Sequence, residues 1–441
     1  MNLNPRFRPL MDVFWLAALT AFILAGMMLA TFHGDEAMLI YMSHDYVTVF
    51  IDHQPDTLKV QPPYELDGDG WLRILNGSVS RYSIGLSWHL AGLNSGMLPP
   101  RPGWDWGLDY DTNVATGHRP SDALLAAGRL PSALLLVLGA AALFAIGREL
   151  GARPLAYAAS ALYTLNPILL LNGRRAMMEG SLMAFGLLAI WVAIRISRGR
   201  GGWWAWAALA ALSALTLSSK HSGILFVGSA LGWIGLCALV RCWSAGRAGW
   251  LPFARTVGAL LLVGVLAVGL FIALSPALWN DTLARLGDLV TQRQFLLDIQ
   301  VAAFGGATSI GQRLTDLLTQ PFIAPLMHYE VSFWANAQAI QAEVVRYMAS
   351  PLSGLQGGVI VGGLLTVSVA VGLVALLRQR RAAADRWQIG VLAWVLLMTG
   401  SALVNPLGWQ RYSIPQIPLF ALLAAAGLVT AVRWLQRRSS A

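Results

Sequence analysis

Five small groups of polar residues stand out because each borders or interrupts an apolar run. Asp35 and Glu36 follow the first run, and Arg129 lies just inside the second. Arg174, Arg175 and Glu179 fill one tight turn, and Lys220 and His221 fill another. Gln410, Arg411 and Tyr412 precede the last run. Charge at a membrane boundary is costly to keep, so such residues are functional candidates by default. Arginine presents a planar fork of donors that matches phosphate oxygens, and lysine presents a point charge. Carboxylates at the same level would repel a phosphate unless they serve another purpose. Asp35 and Glu179 can accept a proton from an incoming nucleophile. Cations beside a phosphate stabilise it as a leaving group while its negative charge grows. The chemistry expected of such a set is displacement of a lipid phosphate from a sugar carbon. A divalent cation is compatible with carboxylates near a phosphate, but the sequence defines no metal ligand set.

Each group also has a plain structural reading. An Asp-Glu pair after a helix is often a solvated cap, and Arg411 can snorkel to an interface. His328, Tyr329 and Glu330 read as a structural loop cluster rather than metal ligands. Arg129 is harder to dismiss, because burying it without a partner costs several kcal/mol. The shared depth and side of the five groups carry the functional reading.

The elements that must position them are membrane helices. Only 12% of the 441 residues are charged and 56% are hydrophobic, whereas a soluble domain carries roughly 25% charged residues. Apolar runs of bilayer length recur at about 10–32, 123–147, 154–172, 181–196, 203–219, 222–240, 256–274, 355–377, 388–404 and 412–432. The expectation is an all-α polytopic membrane protein of about ten helices, eleven at most. The net charge of +9 does not indicate nucleic acid, because the arginines are scattered over short loops. With the N-terminus inside, Arg6 and Arg8, Arg148 and Arg153, Arg195, Arg198 and Arg200, Arg241, Arg247 and Arg255, Arg378, Arg380, Arg381 and Arg386, and Arg433, Arg437 and Arg438 all fall on one side. Only Glu149 and Asp385 oppose them. That is a positive-inside pattern, and it predicts cytoplasmic termini, a plasma or inner membrane, and candidate residues facing the exterior or periplasm. The first run is longer than a signal-peptide core and no A-x-A-like site follows, so it reads as an uncleaved helix. Cys237 and Cys242 have no spacing partners for a metal site and read as reduced thiols.

The whole chain, 1–441, reads as one transmembrane domain with two long outer loops, about 33–122 and 275–354. The first holds about half of the acidic residues and turn-forming Pro62-Pro63 and Pro99-Pro100. Residues 72–93 within it are expected as an amphipathic helix on the membrane surface. Two helical stretches, 281–303 and 309–319, are expected in the second.

With these motifs in order, the chain resembles the GT-C membrane glycosyltransferases, particularly the protein O-mannosyltransferases and the aminoarabinose transferase of lipid A. The motifs are HGDEAM at 33–38, AAGRLPSALL at 126–135, NGRRAMMEGSLMAF at 172–185, SSKHSGILF at 218–226, SPALWND at 275–281 and NPLGWQRYSIPQIPL at 405–419. The resemblance implies that Asp35 is the catalytic carboxylate, with Glu36 beside it and Glu179 as a second one. It implies that Arg129, Arg411 and Lys220 bind the carrier phosphate, with Arg174, Arg175, His221 and Tyr412 as further site candidates. The implied reaction is inverting transfer of a hexosyl or pentosyl group from a polyprenyl-phosphate carrier to an acceptor on a glycan, lipid or protein. The chain departs from the mannosyltransferases in lacking a MIR-like lumenal domain and in having Glu179 where many relatives have Asp. The rival reading, a transporter or flippase of lipid-linked saccharides, predicts paired halves and charges at the bilayer centre. Neither is evident in the sequence.

Overall fold

The computed structural model describes residues 7–330, 334, 336–378 and 387–439. Arg6, and Arg380, Arg381, Asp385 and Arg386 of one basic loop, lie outside the described residues. Among the described residues the regular structure is helical, with no strand. In the N-terminal third these helices are α1 (Arg8–Ala25), α2 (Gly34–Met42), α3 (Asp69–Leu75), α4 (Ser78–Leu90), α5 (Tyr110–Ala115) and α6 (Asp122–Leu150). The middle holds α7 (Arg153–Thr164), α8 (Pro167–Arg174), α9 (Glu179–Ser197), α10 (Gly202–Ser219), α11 (Ile224–Ala245) and α12 (Trp250–Ala273). The second loop carries α13 (Thr282–Phe304), α14 (Ile310–Thr319) and α15 (Gln338–Ala349). The chain closes with α16 (Gly358–Arg378), α17 (Trp387–Val404) and α18 (Ile417–Ser439).

Among the described residues seven segments are long and apolar enough to cross a membrane, or eight if the bent pair α7–α8 counts as one span. One of the seven, His221–Ala273, contains both α11 and α12. The chain is therefore a multi-pass helical membrane protein. The run expected as one helix at 154–172 is broken, with a bend of 62° between α7 and α8. Pro167 supplies no N–H and disfavours helical backbone at Asn166. The break is then put to use: Asn166 caps α8 through Leu169 N–H at 3.0 Å and donates to Pro321 O at 2.8 Å. The amphipathic stretch expected at 72–93 is likewise two helices, α3 and α4. At their junction Gly77 passes so close to the Ser218 and Ser219 carbonyls that a Cβ would collide with backbone. The buried face of α4, with Arg81, Ile84 and Trp88, turns toward the protein. The two stretches expected in the second loop are α13 and α14.

The core is built on α6, α9 and α18, in which Ile417–Gly427 is continuously buried. Gly372 of α16 and Gly427 of α18 let the two backbones touch: a Cβ on either would strike a carbonyl of the opposite helix. Small residues are the usual means of close helix approach when lipid removes the hydrophobic drive. Cys237 and Cys242 are both buried and neither is in a disulfide.

Contacts define two ends of the bundle. At one, Asp12 accepts from Arg148 at 3.0 Å, Arg153 at 3.0 Å and Tyr157 at 2.6 Å. At the same end Glu149 pairs with Arg198 at 2.7 Å and Arg200 at 3.2 Å. The HGDE motif, the start of α9 and the end of α10 lie at the other.

Candidate active site

Residues Thr31 to His33 run into α2 through a capping box. The His33 Nδ1 accepts the Asp35 amide at 3.1 Å, and the Glu36 carboxylate accepts the His33 amide at 3.1 Å. This reciprocal cap aims Glu36 inward and Asp35 sideways. Glu36 meets Arg129 in a bidentate pair, Nε to Oε1 and Nη2 to Oε2, both 2.8 Å. Arg129 Nη1 donates to the carbonyls of Met27 at 3.1 Å and Ala30 at 2.8 Å. The Ala176 amide donates to Glu36 at 2.8 Å. Burial alone would raise the Glu36 carboxyl, but the Arg129 guanidinium outweighs it and holds Glu36 below the ordinary carboxylate range. Both residues are buried, and four of the five Arg129 N–H groups are engaged.

Asp35 faces the last helical region. Its carboxylate forms a short ion pair with Arg411. The other edge of the same guanidinium lies 3.1 Å from Glu330. Glu330 in turn meets His33 Nε2 at 2.9 Å. Burial would raise both carboxyls, but Arg411 first and His33 second overcome it and lower Asp35 and Glu330. The His328–Glu330 segment clasps the motif from outside. Tyr329 donates to the Phe32 carbonyl and stacks on His33 at 5.2 Å. Burial, then Arg175, pushes His328 down to about 3, so it is a neutral packing group.

The second pair is Lys220 with Glu179, 2.7 Å apart. Lys220 is extended where α10 ends, and Glu179 is the first residue of α9. Glu179 is buried, yet its Oε2 has no hydrogen-bond partner. Glu179, Lys220, Arg411 and Tyr412 all line one cavity of about 530 Å³. Its other wall is apolar, with Leu182, Leu225, Leu396 and Leu397. Arg293 of α13 also lines it. Its Nη2 lies 3.5 Å from the Tyr412 hydroxyl, and among the described residues it is ion-paired with no carboxylate. Tyr412 stacks on Trp409 at 5.7 Å.

The remaining candidates stand apart from the cavity. Arg174 donates to the Ile23, Phe22 and Leu352 carbonyls at 2.8, 2.6 and 2.5 Å. Arg175 donates to Thr31 O and His328 O, both at 2.9 Å. Both are buried and tie loops to helix ends. His221 adjoins Lys220, edge-on to Phe271 at 6.5 Å. Sequence reasoning missed Arg293 and the bridging role of Glu330. It also missed a buried cluster in which Arg73 holds Asp45 at 2.9 Å and Arg81 approaches it at 3.4 Å. Among the described residues no three His, Cys, Asp or Glu side chains are arranged to hold a metal ion.

Residues 104–279 match the dolichyl-phosphate-mannose-protein mannosyltransferase family. That stretch includes Arg129, Glu179 and Lys220 but neither Asp35 nor Arg411. The fold is similar to that of the apo oligosaccharyltransferase of Archaeoglobus fulgidus, with a TM-score of 0.51 at 14% identity over 98% of this chain and 52% of that one. The archaeal oligosaccharyltransferase AglB of the same organism, solved with an inhibitory peptide and a dolichol-phosphate, gives 0.48 at 12% identity over 97% of this chain and 52% of that one. The chain thus spans about half the length of these solved structures. No curated protein matches it in sequence. The matched family and the matched fold are both of GT-C type, so the resemblance read from the motifs is borne out.

Proposed function

We propose that the chain is an inverting glycosyltransferase that moves a sugar from a polyprenyl-phosphate carrier to an acceptor hydroxyl. The observation that carries this reading is the cavity itself. One wall is apolar and suits a lipid chain, while Lys220, Arg293 and Arg411 supply cations to a phosphate. The matched family is named for a donor of this kind. Lys220 and Arg411 are each already neutralised by a carboxylate, whereas Arg293 has no carboxylate partner among the described residues, so it recruits the phosphate. Glu179 Oε2, buried and unpartnered, accepts a hydrogen bond from a sugar hydroxyl.

In the reaction the acceptor oxygen attacks the anomeric carbon from the side opposite the phosphate. The carbon–phosphate-oxygen bond breaks, and the phosphate leaves with the extra negative charge, stabilised by Arg293 and Lys220. The acceptor proton passes to Asp35. Asp35 stands behind Arg411, which lines the cavity and pairs with it, so Arg411 links the proposed base to the phosphate site. Glu36 and Arg129 are positioning residues: their buried pair fixes the start of α2, and so fixes Asp35.

Ten spans, α1, α6, α7 with α8, α9 to α12 and α16 to α18, form one membrane domain with outer loops at about 33–122 and 275–354. The Asp12 and Glu149 clusters carry excess arginine and face the cytoplasm, as do both termini. The cavity then opens on the exterior or periplasmic side of the plasma or inner membrane.

The test is incubation of purified protein with a radiolabelled polyprenyl-phosphate sugar and an acceptor extract. Transfer of label, lost in Asp35→Asn while donor binding persists, is the expected result. Full transfer by Asp35→Asn would remove the proposed base.

A further inference from the structure

The turn that leads into α18 holds two buried glutamines with different roles. Gln410 ties the second loop down: its Oε1 accepts the Met327 amide at 2.8 Å, and its Nε2 donates to the Pro325 carbonyl at 3.2 Å. Gln416, the last residue of the same turn, is 2% exposed and lines the cavity. Among the described residues nothing donates to its Oε1. Ser222 repeats the contrast. The hydroxyls of Thr216 and Ser219 bond back to carbonyls of their own helix at 2.6 and 2.7 Å. Ser222 also belongs to the cavity lining, and its Oγ has no such partner. Glu179 Oε2 is the third oxygen of this kind in the same cavity. Most buried polar side-chain atoms are hydrogen-bonded, and each exception calls for an explanation. Three exceptions in the lining of one cavity point to a ligand that supplies the missing donors.

Building on the glycosyl-transfer reading, we infer that Glu179, Ser222 and Gln416 form the site for the transferred sugar, and that this sugar is neutral and binds through its free hydroxyls. The three residues come from the start of α9, the turn between α10 and α11, and the turn before α18. Hydroxyls that leave a sugar ring in different directions can therefore each meet one of them. A hydroxyl donates to Glu179 Oε2 without displacing Lys220 from the other oxygen, 2.7 Å away. It can donate or accept at Ser222 and at the Gln416 amide. An amino sugar would bring a second cation to a carboxylate that Lys220 already neutralises. A uronic acid would set its own anion beside that carboxylate. A site built to hydrogen-bond hydroxyls rejects analogues that leave its buried groups unpaired. The cavity, about 530 Å³, falls within the usual size range of small-ligand sites.

The test is a binding titration of the purified full chain with polyprenyl phosphate, bare or carrying one sugar. The sugars are glucose, glucosamine and glucuronic acid, and the matching three of the manno series, so that each set differs by one group. At least one neutral sugar carrier is expected to bind about tenfold or more tighter than its amino and uronic counterparts. Gln416→Met keeps the chain length but removes the amide. Gln416→Met and Ser222→Ala are each expected to weaken that neutral carrier about three- to tenfold and to leave bare polyprenyl phosphate unchanged. Binding of the bare carrier also shows that each variant is folded, and the two substitutions report independently. Amino or uronic carriers bound as tightly as the neutral ones would overturn the inference. So would variants that bind the neutral carrier like wild type, or that lose the bare carrier equally. In those outcomes the phosphate site stands and only the sugar site falls. If wild-type protein binds none of these lipids, the glycosyl-transfer reading falls with it.

Discussion

Replacing Arg129 by Leu separates a buried positioning residue from a phosphate ligand. The substitution removes two hydrogen bonds to Glu36 and two to the Met27 and Ala30 carbonyls. It strands the Glu36 carboxylate in a buried site, with only the His33 and Ala176 amides left as donors. Removing one partner of a buried ion pair costs about 3–5 kcal/mol, or roughly two to four decades in the folding equilibrium. Adding Glu36→Gln removes the stranded charge but keeps an acceptor for the Ala176 amide. The double variant should therefore recover part of the loss. The measurement is SDS-titrated unfolding in mixed micelles, followed by tryptophan fluorescence, with donor affinity determined on the same samples. The expected pattern is a large loss of stability in Arg129→Leu with donor affinity retained in the folded fraction. A stability loss under about 1 kcal/mol together with a collapse of donor affinity would refute this reasoning and return Arg129 to the phosphate site.

Other outcomes follow from the same geometry. Arg293→Ala should weaken donor binding more than Lys220→Met, because among the described residues Arg293 has no carboxylate to release; equal losses in a donor titration would count against its recruiting role. Asp35, Glu36 and Glu330 have folded values below the ordinary carboxylate range. Their contribution to stability is fully present above the unfolded values near 4 and is lost as pH falls through the lowered folded values. His328, held neutral in the folded chain, takes up its proton only on unfolding, so stability should begin to decline below about pH 6.5 and decline more steeply below about 4; stability unchanged between pH 7 and 5 would contradict it. Gly427→Val places a side chain against the Ser368 carbonyl and should cost about 1–3 kcal/mol by overpacking, read in the same unfolding assay.

Much of the helical framework was legible because hydrophobic length and the arginine asymmetry are local signals. So was the HGDE motif, where cap chemistry and a charged pair coincide in four residues. The break at Asn166-Pro167 was legible in principle, since proline there punctuates an otherwise continuous apolar run. The partners of the site were not. Glu330 reaches His33 and Arg411 across about 300 and 80 residues of chain, and no spacing rule links positions so distant. Arg293 sits on an amphipathic loop helix whose pattern explains it equally well as a solvated residue. Arg174 and Arg175 broke the charge asymmetry and so drew a functional reading. Their donors instead satisfy carbonyls left open at helix ends, a need that is invisible until the ends are adjacent.

The clasp of the HGDE motif by residues from the far side of the chain also bears on biogenesis. Asp35 is made early, just after the first span, while Tyr329, Glu330 and Arg411 are still unmade. The Arg411 guanidinium that pairs with the acid in the folded chain arrives only with the final span. On the proposed reading of Asp35 as the base, a partly translated chain carries that acid without its partners, and activity begins only when the last span is inserted.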